Sequence, residues 1–118
     1  MLNATQALNA AIAQFANQSG VTQGQVDQLR AALYADPGLL TSFNNAAASG
    51  NVKSFALEAS PAQQIPSGRY DMMGNVVSLP SSSFASAGST PTVDLHSVLH
   101  VQAMVVDFAA KSYVDGTG

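Results

Sequence analysis

The chain has 118 residues, room for one domain, and only 9% of them are charged, against roughly 25% in an ordinary globular protein. Its net charge is −3, and its 4 basic residues (Arg30, Lys53, Arg69 and Lys111) are scattered, which argues against a nucleic-acid partner or an anionic membrane surface. A 47% hydrophobic fraction supports a core rather than disorder, and the absence of cysteine excludes disulfides and thiolate metal sites.

No apolar run approaches the roughly 20 residues of a bilayer span. Met1-Leu2-Asn3-Ala4 has neither a basic nor a continuous apolar stretch, so no classical secretory signal is read. Residues 1–118 are expected to form a single domain. Val114 to Gly118 shows no helix or strand character, as at a frayed end or a cut within a longer polypeptide.

Three helices are expected first. Ala4, Leu8, Ala11, Ile12 and Phe15 recur on one helical face from Ala4 to Gln18, and Ser19-Gly20 stops the run. Thr22 with Gln25 three residues on is a capping box, opening a second helix through Val26, Leu29, Leu33 and Tyr34. Asp36 as N-cap and Pro37 at the first helical position start a third, which buries Leu39, Leu40 and Phe43 and ends near Gly50.

Period two follows. Val52 to Leu57 reads as a strand, and Ala59 to Gly68, with its prolines, as a loop. Arg69 to Met73 and Val76 to Leu79 flank Gly74-Asn75, a hairpin signal in which Gly74 would take the positive φ of a type II′ turn. Ser81 to Pro91 reads as a covering loop anchored by Phe84. Thr92 is then the expected N-cap of a last helix, Val93 to about Lys111, apolar around so much of its girth that a central, covered position is predicted. The fold expected is therefore α+β: three N-terminal helices, a short antiparallel sheet with a hairpin, and a central C-terminal helix. Leu29, Leu33, Leu40, Phe43, Phe55, Leu57, Val77, Leu79, Leu99 and Met104 are expected in the core.

Chemistry centres on His96 and His100. Four residues apart on a helix, their rings leave one face about 6 Å apart along the axis, the spacing at which H-E-x-x-H helices present two zinc ligands. The Glu that would activate water is replaced by Ser97, which cannot serve as a base without an activating partner. Asp107 lies on the same stripe but roughly 10 Å further along, so a third ligand must come from elsewhere, with Asp71 and Glu58 the candidates. The favoured expectation is two metal-free histidines and no cofactor, with zinc on His96 and His100 as the alternative. Ser81-Ser82-Ser83 lacks a nucleophile elbow, and Gly68, Gly74 and Gly88 form no phosphate loop.

The order Ser54-Phe55-Ala56-Leu57, Gly68-Arg69-Tyr70-Asp71, Asn75 to Pro80, then a helix opening Val93-Asp94-Leu95, resembles the zinc-metallopeptidase-like domains of bacterial secreted effectors, some delivered by type IV secretion. The resemblance covers Leu39 to about Ala110. With its helix aligned on Asp94-Leu95 and Val98-Leu99, the H-E-x-x-H positions fall on Val101, Gln102 and Val105. With the two histidines aligned instead, the Glu falls on Ser97. The resemblance thus implies a metallopeptidase-like scaffold without its catalytic equipment, and a protein that is secreted or delivered by a secretion system, or otherwise cytoplasmic.

The function expected first is a non-catalytic, protein-binding module of a secreted or effector-like protein. The alternatives are a metal-dependent hydrolase using His96 and His100, and a small self-assembling protein. The partner expected is accordingly another protein or further copies of this chain. An apolar surface patch is expected, with helix 1 (Leu2, Leu8, Ile12, Phe15) its main contributor.

Overall fold

Each helix of the chain starts where a short polar side chain can accept a hydrogen bond from the free backbone N–H groups of the first turn. In a computed structural model, which describes residues 3–59, 68–85 and 94–117 and their side chains up to Lys111, the elements are α1 (Ala4–Asn17), α2 (Gln23–Tyr34), α3 (Pro37–Ala48), β1 (Ser54–Glu58), β2 (Arg69–Asp71), β3 (Val76–Pro80), a 3-10 turn (Ser81–Ser83) and α4 (Leu95–Thr117). Thr22 and Gln25 form the expected reciprocal box at α2, and Asp36 Oδ1 accepts from Leu39 N–H at 3.2 Å to open α3. A second box, Asn3 with Gln6, opens α1; the same spacing rule marks it. Asp94 accepts from Ser97 N–H at 2.8 Å before α4, whereas the expected cap Thr92 lies outside the described residues.

Helix α3 ends in a Schellman motif: Asn51 N–H reaches Ala46 O and Gly50 N–H reaches Ala47 O, with Gly50 at φ +85°. Helix α4 runs on past Lys111 to Thr117, so Val114 to Thr117 is helical, against the expectation.

The fold is α+β, with four helices and one three-stranded sheet among the described residues. The sheet order is β1-β3-β2: β2 and β3 form the expected antiparallel hairpin, but β1 pairs parallel to β3, so the sheet is mixed. The hairpin turn also differs in detail. Asp71 pairs with Val76 across a four-residue connection, and the left-handed residue is Asn75 (φ 59°), not Gly74. Asn tolerates that conformation, so the Gly-Asn pair marked the turn while the positive φ fell on its second member. The loop expected from Ala59 to Gly68 lies mostly outside the described residues; in the following segment the expected anchor Phe84 is buried and stacks on Phe15 at 6.0 Å.

Parallel register sets Phe55 beside Val77 and Leu57 beside Leu79. Phe55, Val77 and Leu79 are buried, and Phe55 meets Phe43 of α3 with ring centroids 5.5 Å apart. Leu8, Ile12 and Phe15 of α1, with Leu29 and Leu33 of α2 and Leu99 of α4, complete this core, while Leu40 and Leu57 are only half-buried. Met104 is 71% exposed, contrary to expectation. Among the described residues, α4 buries one face, with Leu95, Val98, Leu99 and Val106, while Val101, Met104, Val105 and Phe108 are exposed.

Gly68, which leads into β2, sits at φ +80°, and a Cβ there would run into the carbonyl oxygen of Ser78. Gly20 has a similar φ of +90° with open space around it. Gly20→Ala should therefore cost about 1 kcal/mol of backbone strain, and Gly68→Ala about 2–3 kcal/mol, since strain and steric displacement add. Urea unfolding of the two variants checks this; equal losses would contradict the clash.

Candidate functional site

Helix α4 carries three different faces, set by its advance of about 100° per residue. Leu95, Val98, Leu99, Gln102 and Val106 are buried against the core. His96 and His100 share a second face, and Val101, Met104, Val105 and Phe108 form a third.

On the histidine face, both rings turn toward the junction of α2 and α3. Asp36 Oδ2 lies 2.8 Å from His96 Nε2 and 2.8 Å from His100 Nε2, and the two Nε2 atoms are 3.1 Å apart. The rings stand edge to face, 88° between planes. Both histidine side chains are about half exposed (52% and 50%), so the cluster is open to solvent on one side. Asp36 thus divides its carboxylate: Oδ1 caps α3 and Oδ2 faces the histidines. Hydrogen bonding to His96 above all, then to Leu39 N–H and His100, holds the Asp36 carboxyl far below the usual carboxylate range.

The expected third partners are placed elsewhere. Glu58 accepts a 2.8 Å ion pair from Arg69, and Asp71 Oδ1 accepts from Met73 N–H in the hairpin turn. Asp107 pairs with Lys111 at 3.0 Å. Ser97, at the place of the catalytic Glu, donates its hydroxyl to Asp94 Oδ2 at 3.0 Å, and these bonds to Ser97 lower the Asp94 carboxyl's pKa. Asp36 was legible only as a cap, because its approach to α4 spans 60 residues of sequence.

Beside the histidines, a groove of about 610 Å³ runs between α3 and α4, lined by Gly38, Ser42 and Ala46 on one side and by His100, Ala103 and Met104 on the other. Met104 carries this groove into the third face, where Phe108 is 73% exposed. Of the patch expected on α1, Leu8, Ile12 and Phe15 are buried instead, and Leu2 lies outside the described residues. Among the described residues, the large exposed apolar side chains are Val101, Met104, Val105 and Phe108 on α4, with Met72 and Met73 in the hairpin turn and Tyr34 at the end of α2. Among the described residues, no helix is long and apolar enough to cross a membrane.

Comparison with known proteins found no matching family model, no matching curated relative and no matching solved structure.

A carboxyl whose pKa is lowered in the folded state contributes stability above its unfolded pKa, near 4, and loses it as the pH falls toward the folded value. Asp36→Asn keeps a capping oxygen but removes the charge. The stability difference between the two proteins should therefore be present at pH 6 and shrink steadily below about pH 4. Denaturant midpoints measured across that range test it; a difference independent of pH would show that the carboxylate charge contributes nothing.

Proposed function

We propose that this chain is a protein-binding module, and that its recognition surface is the groove between α3 and α4 together with the apolar strip Val101, Met104, Val105 and Phe108. The observation that carries the reading is the exposure of Met104 (71%) and Phe108 (73%) side by side on one helix, beside a concave surface. Leaving two such side chains in water forgoes burial that a monomer would otherwise use. The strip offers on the order of 400 Å², within the range of functional patches but about half of one side of a standard interface. The groove supplies the remainder.

The groove's small residues, Gly38, Ala46 and Ala103, allow close approach of a backbone, while Met104 stands at its rim. That shape suits an amphipathic helix of another protein laid along α3 and α4, its apolar side over Met104 and Phe108. A second copy of this chain fits less well. Its own exposed apolar strip lies on the face beside the groove, so one contact would leave the other uncovered.

The test is a displayed library of amphipathic helical peptides selected against the full chain. Selected peptides should bind the wild type and lose about tenfold or more in affinity with Met104→Ser/Phe108→Ser, a change expected to leave stability within about 0.5 kcal/mol because both side chains are exposed. Binders insensitive to that double variant, or dimerisation through the strip in sedimentation at micromolar concentration, would overturn the reading.

A further inference from the structure

The cluster of Asp36, His96 and His100 makes three contacts that protons cannot satisfy together. Each contact is short: 2.8 Å and 2.8 Å from Asp36 Oδ2 to the two Nε2 atoms, and 3.1 Å between those atoms. Each needs one hydrogen along its line, and each imidazole Nε2 carries at most one. If both hydrogens point at Asp36, the two N–H groups meet donor to donor. If one points at the other ring, a bare nitrogen lone pair faces the carboxylate, acceptor to acceptor. Two hydrogens cannot serve three contacts.

A cation serves all three. With the hydrogens gone, two imidazole nitrogens and a carboxylate oxygen remain as donor atoms 2.8, 2.8 and 3.1 Å apart. Three atoms at these spacings lie about 1.7 Å from their common centre, so an ion about 1.2 Å above their plane is about 2.05 Å from each, the zinc bond length to His nitrogen and carboxylate oxygen. Tetrahedral ligands at that bond length stand about 3.3 Å apart, a small expansion from the separations seen.

We propose that Asp36, His96 and His100 bind one divalent first-row transition-metal ion, zinc by the character of the donors. Two imidazoles and one carboxylate suit that group of ions rather than magnesium or calcium, which favour oxygen. His96 and His100 present their nitrogens from adjacent turns of α4, and the Asp36 carboxylate is already oriented by its other oxygen, which caps α3. That bond is the kind of outer contact that fixes a ligand's direction. The half-exposed rings leave the ion a path from solvent. The ion's role is to clamp the start of α3 to α4, across 60 and 64 residues of chain. Ser97, bonded to Asp94, gives it no carboxylate at the water-activating position. His100 also lines the groove, so the two sites adjoin, but this inference does not rest on the peptide-binding reading.

The experiment uses the full chain, stripped with chelator and dialysed, titrated with Zn²⁺ by calorimetry and with Co²⁺ by visible absorption. Expected are one ion per chain, intense cobalt bands of a four-coordinate N/O site, and a melting temperature that rises with Zn²⁺. Asp36→Asn and His96→Gln should each weaken binding by about tenfold or more and abolish the thermal shift. Both keep the fold: Asn preserves the cap and His96 is half exposed, and circular dichroism of the metal-free variants checks that directly. No saturable binding, or binding and thermal shift unchanged in the two variants, would overturn the proposal.

Discussion

The packing of Phe55 against Phe43 joins the two halves of this fold. Phe55 lies on β1, in register with Val77 on the middle strand, and Phe43 lies on α3. Because both rings are almost fully buried, the sheet and the third helix cannot be positioned separately. Fixing α3 at Phe43 also fixes its N-terminus, two turns away, where Asp36 faces α4. The candidate metal centre therefore depends on an aromatic contact that includes none of its ligands. Tight interiors transmit position in this way, since packed side chains leave little room to rotate one element without its neighbours.

With so few charges, the chain uses neutral amides where other proteins use ion pairs or extra strands. Gln18, just past α1, accepts from Leu57 N–H at 2.7 Å and donates to Leu57 O at 3.1 Å, so its side chain pairs with the edge of β1 as a neighbouring backbone would. Gln28 does the same for Ala85, at 2.8 Å and 2.9 Å. The Tyr70 hydroxyl donates to Asn51 O at 2.6 Å, and burial, with Asp71 beside it, raises its pKa further from neutrality. These bonds satisfy strand edges and loop backbone without the desolvation cost of a charge. They also protect a small sheet whose edges would otherwise be open.

Helix α4 shows how one element can serve a core and still face outward. Its sequence has more large apolar residues than one buried face needs. Leu95, Val98, Leu99 and Val106 are buried, while Val101, Met104, Val105 and Phe108 are exposed. The histidines fall between these faces because a four-residue step turns the helix by only about 40°. One helix thus contributes to the core, to the cluster with Asp36, and to the proposed recognition strip.

The sequence by itself determined where α2 and α3 start, where α3 stops and where the hairpin turns, but not where α4 ends. Thr22 with Gln25, Asp36-Pro37, Gly50 and the hairpin around Gly74-Asn75 are local signals: the backbone groups they satisfy lie within a few residues, so no distant contact can hide them. The core positions Leu29, Leu33, Phe43, Phe55, Val77, Leu79 and Leu99 were legible for the same reason, since periodicity reports which side of an element faces inward. Tertiary structure alone decided the parallel pairing of β1 with β3, because alternation within a strand carries no information about its neighbour's direction. It alone left Met104 outside the core, because apolar composition does not say how many faces of a helix will find cover. And it alone brought Asp36 to His96 and His100: proximity across 60 residues is a property of the packed chain, and no spacing rule in the sequence encodes it.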